Sequence, residues 1–112
     1  VTPEQLDFFD EHGVIVFRNF LDKEKVATYI SELQRLEKQW LDEKKDKING
    51  IPLKFGKDEL GNTTIQRLCF SSLYSDPLHA LLSDERLKAL TAFLHPYEGR
   101  IAENEKDGLV IN

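Results

Sequence analysis

The spacing of apolar residues changes repeatedly along this chain, and each change predicts an element. Leu6 and Phe9 stand three apart behind Thr2-Pro3-Glu4-Gln5. Thr2 suits an N-cap, Pro3 the first helical position, and Gln5 the third residue of a capping box. Gly13 after His12 is a natural left-handed stop, so a short helix is expected before it. The run Val14-Ile15-Val16-Phe17-Arg18-Asn19-Phe20 follows, β-branched and aromatic with little polar alternation. Such a run predicts a buried strand covered on both faces. Asp22 is the next cap, and Val26, Tyr29, Ile30, Leu33, Leu36, Trp40 and Leu41 then keep the three-and-four spacing of a helix face. Glu, Lys and Gln fill the opposite face, with opposite charges at helical spacing such as Glu32 with Arg35.

A charged turn over Asp46-Lys47-Ile48-Asn49-Gly50 is expected to end that helix. Two strands are expected next, Ile51 to Phe55 and Thr63 to Phe70, joined through Gly56 to Asn62. Pro52 favours an edge position for the first, because proline cannot donate to a ladder. Neither face of the second is cleanly apolar, so its polar side chains are expected in a wet cleft or in solvent. Ser75-Asp76-Pro77 opens a short helix through Leu82, and Ser83-Asp84-Glu85 opens a longer one with Leu87, Leu90, Phe93 and Leu94 on its apolar face. His95-Pro96 ends it, since a residue before proline avoids the helical region. Arg100-Ile101-Ala102 and Leu109-Val110-Ile111 read as two last short strands.

Length and charge narrow the picture. A chain of 112 residues makes one module, and a charged share of 31% gives it a heavily charged surface. The net charge is −5, with lysines and acids interleaved and no basic block, which disfavours a nucleic-acid surface. The single cysteine, Cys69, excludes an internal disulfide and fits a reducing, cytoplasmic setting; between Leu68 and Phe70 it reads as a buried structural thiol. No apolar run is long enough for a membrane span. Methionine is absent even at position 1, and the sequence stops inside Leu109-Val110-Ile111-Asn112. Both features lead us to expect a piece of a larger domain.

Catalytic constellations are scarce. The three histidines, His12, His79 and His95, do not begin a His-x-Asp or His-x-Glu, the spacing by which alternate strand residues share one iron. His12 and His95 read as helix-terminal residues. Neither a nucleophile elbow, a phosphate loop, a dinucleotide glycine pattern nor zinc spacing is present. No catalytic residue and no metal ligand is therefore expected within these residues.

The order of these motifs resembles the N-terminal portion of the phytanoyl-CoA dioxygenase family. The resemblance rests on Leu6-Asp7-Phe8-Phe9, His12-Gly13, Val14 to Phe20 and Leu21-Asp22-Lys23-Glu24. It continues through Thr64-Ile65-Gln66-Arg67, Asp76-Pro77-Leu78, Asp84-Glu85-Arg86-Leu87 and Leu109-Val110-Ile111-Asn112. It implies an α+β module, the helix-strand beginning of a double-stranded β-helix, or jelly roll. It also implies an oxidative hydroxylation of a small-molecule or acyl substrate, dependent on Fe(II) and 2-oxoglutarate. The family's iron ligands and late basic residue fall beyond the stretch matched here, so the cofactors are expected in the longer protein and not in this chain alone. Gln66, Arg67 and Asn112 carry over only as polar groups lining substrate or co-substrate. The expected partners are the remainder of the jelly roll and a small molecule, with no nucleic acid and no membrane. The competing reading is a non-catalytic α+β binding or interaction module.

Overall fold

The computed structural model describes residues 1–97 and residue 99. The two last strands expected from the sequence, together with Asn112, lie outside the described residues. Helix α1 spans Pro3–His12 and opens on the expected capping box. The Thr2 hydroxyl accepts from the Gln5 amide at 3.2 Å, and the Thr2 amide donates to Gln5 Oε1 at 2.8 Å. Gly13 closes the helix at φ 70°, its N–H donating to the Phe9 carbonyl. A β-carbon would be strained at that φ, which is why glycine stands there.

The run that follows is a correction to the sequence reading. Residues 14–17 are irregular rather than a strand, and the surface is not closed over them: Val14 is 58% and Val16 72% exposed. Ile15 and Phe17 are half-buried, so only one side of the segment rests on the protein. The N–H and C=O groups of Val14, Ile15 and Val16 find no hydrogen-bond partner among the described residues. Residue type and pattern bias a chain toward an extended form, but a strand also needs a second backbone to pair with. Arg18 and Asn19 then turn, with Asn19 at φ 55°.

Helix α2 covers Lys23–Asp42, and Asp22 caps it by accepting the Lys25 amide at 2.7 Å. Its apolar stripe runs the whole length, yet only the C-terminal half is sealed. Leu36 and Trp40 are each 1% exposed and Leu33 and Leu41 pack beside them, whereas Val26 and Ile30 face outward. Two small antiparallel hairpins follow. Strands β1 (Lys47–Ile48) and β2 (Ile51–Pro52) pair with Ile48 opposite Ile51, around Asn49 at φ 46° and Gly50 at φ 81°. Two successive positive φ values are what a tight hairpin turn needs, so the expected charged turn is a hairpin that buries Ile48. Strands β3 (Phe55–Lys57) and β4 (Thr63–Ile65) form the other, with Gly56 opposite Thr64. The Asp58 carboxylate accepts the amides of Leu60 and Asn62 at 2.9 and 2.8 Å and so shapes their connection.

The expected strand from Thr63 to Phe70 ends early, at Ile65. Leu68 and Phe70 leave the sheet to enter the core, and Phe70 takes a left-handed φ of 59° that starts an unexpected helix, α3 (Ser71–Tyr74). Helix α4 (Asp76–Leu82) opens on Ser75 as its sequence foretells. The longer helix arrives in two parts, α5 (Glu85–Leu90) capped by Asp84, then a tighter 3₁₀ stretch, Thr91–Leu94.

Leu36, Trp40, Ile48, Ile65, Leu68 and Phe70 make one core, with α3 and α4 packed on α2. A second, thinner cluster is aromatic. The Phe93 ring lies 5.0 Å from that of Phe9 and 6.0 Å from that of Phe17. Cys69 is half-buried against the first core rather than sealed in it. The architecture is α+β, and the sheets among the described residues are two-stranded, without a closed barrel. No helix among the described residues is long and apolar enough to cross a membrane.

Candidate functional site

Gln66 and Arg67 follow directly on β4, where the backbone leaves the hairpin. The Gln66 amide donates to the Lys54 carbonyl at 2.8 Å, one pair beyond the β3–β4 ladder. Its side chain lies across Gly56, since a β-carbon built there would come within 3.0 Å of Gln66 Nε2. Gly56 thus leaves room for the Gln66 amide to fold over the strand. Both Gln66 and Arg67 are exposed, as expected of polar residues on a strand with no clean apolar face. Asn112, the third candidate, lies outside the described residues.

Beneath this edge, α2 contributes two carboxylates: Glu32, whose pairing with Arg35 the sequence spacing predicts, and Glu37, which sequence reasoning did not single out. Glu37 Oε1 accepts the Ile65 amide at 3.3 Å and ties β4 to the helix. Five residues earlier on α2, Glu32 Oε2 accepts from Arg35 at 2.7 Å and from the Ser75 hydroxyl at 2.8 Å. Those hydrogen bonds, Arg35's first, hold the Glu32 carboxyl below its ordinary value of 4.5. Arg35 also donates to the Tyr74 carbonyl at 3.1 Å, while the Tyr74 hydroxyl donates to Asn49 and its ring meets Trp40 edge-on at 5.6 Å. A signal for these acids was in the pattern: Glu32 lies four before Leu36 and Glu37 three before Trp40, on the margin of the buried stripe. Their role is to join elements. Every buried side-chain polar atom among the described residues has a partner.

The histidines do not converge. The His12 ring packs edge-on against Phe8 at 4.2 Å, His95 Nε2 sits 3.6 Å from Asp10, and His79 is exposed on α4. Among the described residues no group of three His, Cys, Asp or Glu side chains is placed to hold a metal ion. A shallow groove of about 520 Å³ lies along α5, lined by Glu85, Lys88, Thr91, Ala92 and Tyr97 among others, and it shares no residue with the Gln66–Arg67 edge.

Compared with family models, with curated proteins and with solved structures, the chain matches none.

Proposed function

We propose that this chain is the N-terminal part of an Fe(II)- and 2-oxoglutarate-dependent oxygenase of the phytanoyl-CoA dioxygenase type, acting on a small-molecule or acyl substrate in the cytoplasm. In this reading its helices brace the outside of a jelly roll, and residues 14–17 add a strand to one of that roll's sheets. The iron ligands, the co-substrate and the chemistry belong to the remainder of the protein. Gln66 and Arg67 stand at the substrate side of the β3–β4 edge.

One observation supports it above the rest. The segment around Val14, Ile15 and Val16 has the residue types of a strand and leaves its backbone groups unpaired among the described residues. Backbone groups so presented are a template for another strand. The competing interaction module places no such demand on a specific downstream sheet.

The test uses the longer protein. A His-x-Asp or His-x-Glu is expected within a few tens of residues after Asn112, and the purified protein with Fe(II) is expected to turn 2-oxoglutarate into succinate. Hydrogen exchange should show the amides of Val14, Ile15 and Val16 slowed there and fast in the 112-residue chain alone. A downstream sequence without the iron motif, with no succinate formed, would leave the interaction module as the better reading.

A further inference from the structure

The segment between α1 and α2 is anchored at few places. Of residues 14–21, the only well-formed hydrogen bond among the described residues is the one the Phe20 carbonyl accepts from Arg86 Nη1, at 2.8 Å. The same guanidinium lies over the Phe20 ring, its Cζ 4.5 Å from the centroid. Ring contacts of Phe17 with Phe20 at 6.3 Å and with Phe93 at 6.0 Å complete the attachment. Sixty-six positions separate Phe20 from Arg86, so this clamp crosses most of the chain.

Arg86 is itself held. Its Nε and Nη2 grip the Asp84 carboxylate at 3.1 and 2.7 Å, and the Asp84 side chain also accepts the Arg86 amide at 2.9 Å while capping α5. The planar fork is thereby locked in one orientation, with Nη1 left to reach Phe20. Lysine has one charged point and no fork, so it cannot hold the carboxylate and the carbonyl in the same way. Both ends of the segment can turn: Gly13 is left-handed, and Asp22 caps α2 independently of what precedes it.

We propose that Arg86 is a latch and that residues 13–21 are a strap it holds to α5, able to detach as a unit while the Trp40 core stays folded. The strap carries little buried surface and almost no backbone hydrogen bonding, the conditions under which a segment opens far below the free energy of global unfolding. Asp84 acts through Arg86 as its positioning residue. The clamp needs only contacts within the described residues, and the opening proposed is that of the 112-residue chain, since in the oxygenase reading residues 14–17 would be paired in the longer protein.

Arg18 lies exposed in the strap and Lys38 about one turn from the C-terminal end of α2, between the buried Leu36 and Trp40, which makes trypsin a ratio probe on the full chain. Cleavage after each is followed by mass spectrometry under native conditions. In Arg86→Ala, the rate at Arg18 relative to Lys38 is expected to rise at least about tenfold, the change expected from losing one charge-assisted hydrogen bond and one exposed cation–π contact. Arg86→Lys, which keeps the stem and the charge, is expected to give a smaller rise. An unchanged ratio in both variants overturns the latch. So does equal acceleration at Arg18 and Lys38, which would mean that the strap and the core open together.

Discussion

The two ends of α2 face different fates, and the contrast explains most of this molecule. At its C-terminal half, Leu36 and Trp40 are enclosed by two hairpins and α3, and the polar groups at the rim are cross-linked through Glu32, Arg35, Glu37 and Ser75. At its N-terminal half, Val26 and Ile30 remain exposed, and the strap before it leans on a few rings and one guanidinium. Equal apolar patterning thus yields a sealed core in one place and an open surface in the other. Burial comes from what covers a face, and pattern alone does not supply the cover.

The sharpest way to break this comparison is to remove the centre of the first region. Trp40→Ala deletes the largest fully buried side chain and should cost on the order of 3–5 kcal/mol, a large part of a small domain's stability. A urea melt followed by circular dichroism checks it. A loss below about 1 kcal/mol would show that the region is not the core.

Phe93→Ala comes next. It removes the ring on which Phe9 and Phe17 meet, and should cost about 2–3 kcal/mol, less than a central core truncation because the cluster is thin. Trp40 is the sole tryptophan, so its fluorescence reports the first region alone. The expected result is an unchanged native emission spectrum in Phe93→Ala. A red shift would mean that the two regions are one cooperative unit.

Acid provides a gentler comparison. A carboxyl whose folded value is depressed stabilises the fold above its unfolded value, and that contribution is lost as pH falls through the folded one. For Glu32 the loss begins as pH falls below its ordinary 4.5. Asp84, held at about 2 from an ordinary 3.8 chiefly by Arg86's hydrogen bonds, yields later. Stability measured from pH 6 downward should therefore decline less steeply in Glu32→Gln than in the wild type just below pH 4.5. Parallel curves would show that the Arg35–Glu32–Ser75 junction adds nothing to the fold. The smallest effect is expected from Val16→Asp, within about 0.5 kcal/mol, because a side chain 72% exposed loses little water on folding. A larger loss would place Val16 under cover after all.

Helix boundaries were legible because their causes are local. The Thr2–Gln5 box, Gly13, Asp22, Ser75 before Pro77, and Asp84 each act within a few residues, through a side chain meeting the first free amides or a backbone that tolerates positive φ. The Asn49-Gly50 turn carried an equally local signal, masked by the charged residues around it. The candidate edge at Gln66 and Arg67 was legible only as polar residues on a strand. Its carboxylate neighbours came into view when β4 docked on α2.

What the amino-acid order determined by itself, then, is where α1, α2, α4 and α5 begin, the glycine that stops α1, and the α+β class of the fold. Tertiary structure alone decided where the apolar runs went. Leu68, Cys69 and Phe70 continue a strand pattern, yet packing against Trp40 turned the backbone at Phe70 into a left-handed residue and a short helix. Val14 to Phe17 carry a stronger strand pattern, yet find no second backbone among the described residues and stay unpaired. Caps are satisfied inside a few residues, whereas strands and cores are satisfied only by partners distant in the chain. A single side chain such as Arg86, reaching Phe20 across that distance, is set by where the elements dock.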